Sequence, residues 1–196
     1  MKEFFKRNKK VLLIALALFL VVAVASAIAS FMIIGDKYGM ISSTIYQMKA
    51  NGTMHYNETV SKSNTFDLFL HNVISDLLVI IGGLFFSVIS VFAIIYNAII
   101  IGTPFGSDFT YYSVTILPHG IIEYAAAIIS LACAFNITKL EVQMIRNRNV
   151  RDTLAESKRE LRDILIMVAV VIVLLAIAAV IECNLVEPIF RWYFGI

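Results

Sequence analysis

The sequence predicts an all-α, polytopic transmembrane bundle of about five spans, with short or kinked helices in its middle. Three observations carry this reading. The chain of 196 residues is 60% hydrophobic and 15% charged, whereas soluble domains run near 45–50% and about 25%; its mean hydropathy is +0.85. Its apolar residues fall in runs long enough to cross a hydrocarbon core of ~30 Å, which takes about 20 helical residues. Most of its Lys and Arg lie outside those runs, in two dense segments. A net charge of +2 with no phosphate-tracking basic run argues against a nucleic-acid partner. A single membrane domain over 1–196 leaves little room for a separate soluble enzyme.

The first element is a basic head, Lys2, Lys6, Arg7, Lys9 and Lys10, followed by an apolar run over 11–35. Small residues at Ala23, Ala25 and Ala27 offer a signal-peptide cleavage pattern, but the run exceeds the ~7–15 apolar residues usual there. It is expected to be a retained span. Residues 36–65 are polar, with Gly39 and Asn51-Gly52 and no sustained period, and are expected to form an external loop. Within that loop Asn51 and Asn57 match the N-glycosylation acceptor pattern.

The next apolar stretch, 66–102, would make one helix of roughly 55 Å, well beyond the bilayer core. Gly82-Gly83 stands in its middle. A third run, 117–137, opens with Leu117-Pro118-His119-Gly120. A charged segment over 139–163 follows, then a last run over 164–182. Hydropathy alone thus gives four spans.

Charge parity requires another. Five Lys/Arg precede Val11 and seven lie in 139–163, so twelve of the sixteen sit in two segments. The positive-inside rule puts both in the cytoplasm, and an even number of crossings must separate them. Dividing 66–102 into spans 66–82 and 84–102 provides four crossings and places 103–115, which lacks Lys and Arg, outside. The N-terminus is then cytoplasmic and the C-terminus external, in a multi-pass protein of the cell membrane. Over 139–163, Val150, Leu154, Leu161, Ile164 and Leu165 recur at helical spacing. The expectation there is a cytoplasmic helix running straight into the last span; an interfacial or partner-docking helix on anionic lipid is the alternative.

Ionisable residues inside spans are costly and so mark functional candidates: Asp76, His119, Glu123 and Glu182, with His71 and Glu187 near predicted ends. His119 and Glu123, four apart, share a helix face. Pro118 suits a first helical turn, and Gly120 permits close backbone approach. One reading is a structural hydrogen bond between His119 and Glu123, extended by Glu182, that ties helices together. The others are a proton or carrier path and a metal site, since two carboxylates and a histidine can ligate zinc or manganese. No H-E-x-x-H motif or nucleophile spacing supports the metal reading. Asn72 and Asn97 are expected to bridge helices, Gly82-Gly83 and Gly102 to allow tight packing, and Cys133 and Cys183 to fill space. No catalytic, cofactor or metal residue is assigned.

Phe69-Leu70-His71-Asn72, the Gly82-Gly83 break, Tyr96-Asn97-Ala98 through Ile101-Gly102, and above all Leu117-Pro118-His119-Gly120-Ile121-Ile122-Glu123 resemble the stage II sporulation protein M family. The stretch from Glu182 to Glu187-Pro188 is similar to that family's closing signature, and the resemblance extends over 66–188. Ala98 replaces the usual Gly, and His71 stands where a second Asn is common. The resemblance implies a five-span membrane protein, and in spore formers a scaffold that recruits two cell-wall hydrolases during engulfment. Many relatives occur in organisms that make no spores, archaea among them. The function expected here is a non-enzymatic membrane scaffold that binds partner proteins or itself. Its partners would be membrane lipids, further copies in a homo-oligomer, and cell-wall-remodelling hydrolases or other membrane-associated proteins. The alternatives are a transporter or channel with an intramembrane polar path and, more remotely, a metal-dependent membrane enzyme.

Overall fold

The computed structural model describes residues 2–34, 40–51, 64–148 and 150–195. Among them are eight helices: α1 (Lys2–Ile34), α2 (Met40–Ala50), α3 (Thr65–Ile81), α4 (Val88–Ser107), α5 (Phe109–Thr115), α6 (Leu117–Asn147), α7 (Val150–Glu156) and α8 (Lys158–Phe194). Five segments are long and apolar enough to cross a membrane: Glu3–Ile33, Thr65–Phe85, Val88–Ser107, Leu117–Asn147 and Lys158–Phe194. Large apolar side chains cover much of their outer surface, Val21, Phe31, Phe92, Leu165 and Val173 among them. That is the arrangement expected where lipid, rather than water, is the solvent.

The stretch 66–102 is divided at its glycine pair, as expected: α3 ends at Ile81 with Gly82 as its C-cap. Gly82 and Gly83 belong to a tight 3-10 turn, Gly82–Phe85, and the chain reverses at Phe86 and Ser87, both in the left-handed region (φ 52° and 55°). The glycines serve close approach instead. A Cβ at Gly83 would come within 2.7 Å of the Ala134 carbonyl oxygen on α6. The turn is pinned there too: Thr138 Oγ1 donates to the Gly83 carbonyl (2.8 Å) and lies 2.6 Å from Ser87 Oγ. Helix α4 also runs past Gly102 and through Pro104 to Ser107, where Asp108 ends it and caps α5 by accepting from the Tyr111 N–H (3.0 Å).

Two expectations are corrected. Part of the 36–65 loop is helix α2, whose apolar set Ile41, Ile45 and Met48 spans only two turns among Ser, Thr and Gln and so gave no sustained period. The segment 103–115, expected outside, is the end of α4 plus α5. The segment 139–163 is not one helix: α6 ends at Arg148 in a left-handed cap (φ 53°), α7 follows, and α8 begins after Ser157. Its buried residues are Leu140, Thr153, Ser157 and Asp163; on the face that the spacing selects, Val150 and Leu165 are exposed and only Ile164, just beyond the segment, is buried. Asn147 Nδ2 donates to Thr153 Oγ1 (3.2 Å), holding α7 to the end of α6.

Packing follows small residues. Helix α4 lies along α1, where Gly102 and Gly106 meet the backbone carbonyls of Ala23 and Ala27; this closeness is how helices associate without a hydrophobic drive. Ala15, Phe19, Ile94, Ala98, Ala127 and Leu131 form the main core between α1, α4 and α6. Helix α8 packs chiefly on α6, and α3 on α8 and α6.

Candidate functional site

Asn72 and Asp76 are four residues apart on α3 and therefore share a face. They meet Asn97 of α4 and Glu123 and Tyr124 of α6 around a chamber of about 210 Å³, with His71 also lining it and Leu175 of α8 contributing an apolar wall. Asn72 Nδ2 donates to Glu123 Oε1 at 2.6 Å. Glu123 also stands near two further carboxylates, Asp76 and Glu182. Asp76 is buried, 5% exposed, beside Ser130, and its Oδ2 has no hydrogen-bond partner. The Tyr124 hydroxyl is likewise buried without a partner. The absence of a side chain at Gly120 leaves it room, since a Cβ there would sit 2.8 Å from that hydroxyl.

His119 and Glu123 occupy one face of α6 but turn to different helices. His119 Nε2 lies 3.7 Å from Glu182 Oε2 of α8, an ion-pair distance if the imidazole is protonated and too long for a hydrogen bond. Its Nδ1 is buried without a partner. The expected bond within the His119–Glu123 pair is therefore replaced by two interhelical contacts. Glu187 pairs with Arg191 one turn on (2.8 Å). Among the described residues no three His, Cys, Asp or Glu side chains group so as to hold a metal ion. Asn51 ends α2 in an exposed turn. Asn57 lies outside the described residues. Cys133 is buried and Cys183 half-buried, and neither forms a disulfide.

Two further polar clusters went unread in the sequence. At one end of the bundle Arg7 of α1 grips Asp163 of α8 through both guanidinium branches (2.8 and 2.7 Å). Asn8 Nδ2 donates to the same carboxylate (3.1 Å), and Asn136 Nδ2 of α6 donates to Asn8 Oδ1 (2.9 Å). Arg7 and Asp163 passed as members of charged segments. The one signal available was Asn136, an amide at the edge of an apolar run. This bridge sets both basic segments, and the α3–α4 turn, at the same end. At the other end, the Ser42 N–H and hydroxyl of α2 donate to Asp108 (2.8 and 2.9 Å), and Lys49 Nζ donates to the Phe194 carbonyl (2.9 Å). Aromatic rings gather there, with Tyr111, Phe190, Phe194 and Tyr46 in contact. Burial pushes the Tyr111 phenol above its ordinary range, with Tyr112 and Asp108 adding to it.

Five apolar helices tied by intramembrane polar bonds define a multi-pass helical membrane protein. Residues 4–186 match the stage II sporulation protein M family, and the chain belongs to it. The match begins in the first span, well before position 66, where the motif resemblance begins. No curated protein and no solved structure matches the chain.

Proposed function

We propose that this family member is a non-enzymatic membrane scaffold that organises partner proteins, or copies of itself, in the cell membrane. The observation that carries the reading is the use made of the polar residues in the spans. Asn72 with Glu123, His119 with Glu182, and Arg7 with Asn8, Asn136 and Asp163 each join different helices, which is work of assembly. Under the positive-inside rule the Arg7–Asp163 end is cytoplasmic, and the aromatic end with the C-terminus is external. Partners of the kind that the family implies are cell-wall-remodelling hydrolases or other membrane-associated proteins. The exposed aromatics of the outer end, Trp192 (82% exposed) and Phe109 (69% exposed), are where such external partners would be met.

Two measurements test this. In a background lacking Cys133 and Cys183, an impermeant maleimide added outside should label Trp192→Cys and spare Arg151→Cys until the membrane is permeabilised; the reverse pattern would overturn the orientation. Photo-crosslinkers placed at positions 109 and 192 in native membranes should give adducts of discrete mass, and monomer alone from both would sink the scaffold. A second reading, a permease, is favoured by the carboxylate-lined chamber. It would displace the first if proteoliposomes carried a proton or cation flux that Glu123→Gln abolished.

A further inference from the structure

The chamber does not end at its polar walls. Ser75 and Asn97 also line an adjoining groove of about 490 Å³ between α3 and α4, whose walls include Leu78, Val79, Phe85, Ile89, Ala93 and Tyr96. The groove exists because the two helices part after their turn, α4 following α1 while α3 follows α8 and α6. Leu78, Phe85, Ile89 and Tyr96 are exposed, so it opens towards lipid. Its volume lies within the roughly 300–1,000 Å³ of small-molecule sites, and apolar walls leading to a few placed polar groups are the usual build of such sites.

The polar end keeps two orphaned groups. Asp76 Oδ2 and the Tyr124 hydroxyl are buried and unpartnered in the same cavity, where an unmet polar group costs several kcal/mol in lipid. Asn72 has already given an N–H to Glu123. No Lys or Arg lines the chamber. A ligand that brings N–H donors and positive charge suits two carboxylates and an orphaned oxygen, whereas a phosphate would meet like charge.

We propose that chamber and groove together bind a membrane amphiphile made of one hydrocarbon chain and a protonated primary amine. The ammonium donates to Asp76 and Glu123, and the chain lies between α3 and α4 towards the turn. The site goes beyond the scaffold role and does not depend on it.

The test is equilibrium binding of radiolabelled hexadecylamine to the full chain in dodecyl maltoside. Competitors are hexadecylamine, hexadecanoate and dioleoyl phosphatidylethanolamine. Binding should saturate at one amine per chain, with only unlabelled amine displacing the label. Asp76→Asn should weaken it roughly tenfold or more. Ala93→Phe, which fills the groove and keeps both carboxylates, should weaken it similarly. Uptake that never saturates and is equal in all variants would overturn the site. Displacement by hexadecanoate as effective as by the amine would overturn the headgroup assignment, as would displacement by the phospholipid. If Asp76→Asn does not fold, Glu123→Gln and Ala93→Phe carry the test. Crosslinked adducts from positions 109 and 192 should be the same in Ala93→Phe, so loss of the amine site and loss of the scaffold are read separately.

Discussion

At the basic end of the bundle Arg7, Asn8, Asn136 and Asp163 satisfy one another: the carboxylate takes three donors, and Asn8 both gives and accepts. In the chamber Asn72 gives one N–H to Glu123, while Asp76 Oδ2 and the Tyr124 hydroxyl have no partner. Both clusters join three or more helices across long sequence separations. They differ in whether anything is left to bind. A closed network fixes geometry, whereas one left open in a low-dielectric setting is costly and retains capacity for a ligand.

Arg7→Ala should break the first cluster most severely, because it strands a nearly buried carboxylate. Its thermal unfolding midpoint in detergent should fall further than that of any chamber variant, and a smaller fall would reverse the contrast. Asn8→Ala removes the central amide and should cost about 1–3 kcal/mol, read from a denaturant titration. Asn72→Ala severs one interhelical hydrogen bond, worth on average about 0.6 and at most about 1.7 kcal/mol within membranes. Asp76→Asn changes a carboxyl whose Oδ2 has no partner and should leave stability unchanged or slightly higher; a marked loss would mean that Asp76 already serves the fold. The smallest effect is ionic. Because the Arg7 side chain is 31% exposed, raising KCl from about 0.1 to 1 M, which shortens the screening length from ~10 to ~3 Å, should only slightly narrow the gap between the unfolding midpoints of wild type and Arg7→Ala.

Helix class and span number were legible because both rest on summed quantities, apolar length and the placement of basic residues. The division of 66–102 was legible for the same reason, and α3 does end at the glycine pair, but the residues that make the reversal were not. Glycines are the usual marker of a reversal, yet here Phe86 and Ser87 adopt the left-handed conformation while Gly82 and Gly83 admit Ser90 and the α6 backbone. Helix α2 was missed because its stripe, Ile41, Ile45 and Met48, is only two turns long. The chamber residues were legible one by one, since each polar group in an apolar run stands out. Their pairing was not: helical spacing places His119 and Glu123 on one face but says nothing of which neighbour faces either. The Arg7–Asp163 bridge was least visible, as charges at the ends of spans look alike whether they face water or each other.

The seam between α1 and α4, where Gly102 and Gly106 reach the Ala23 and Ala27 backbone, has a consequence for the order of biosynthesis. Helix α1 is translated first, but the helix that fits its small-residue face begins about 54 residues later. At ~5–20 residues per second that is a wait of roughly 3–11 seconds. Through that interval α1 stands in the membrane without its main companion. The α3–α4 hairpin then arrives as a unit to close on a helix already in place, so the nearest neighbours in the finished bundle are not the successive products of the ribosome.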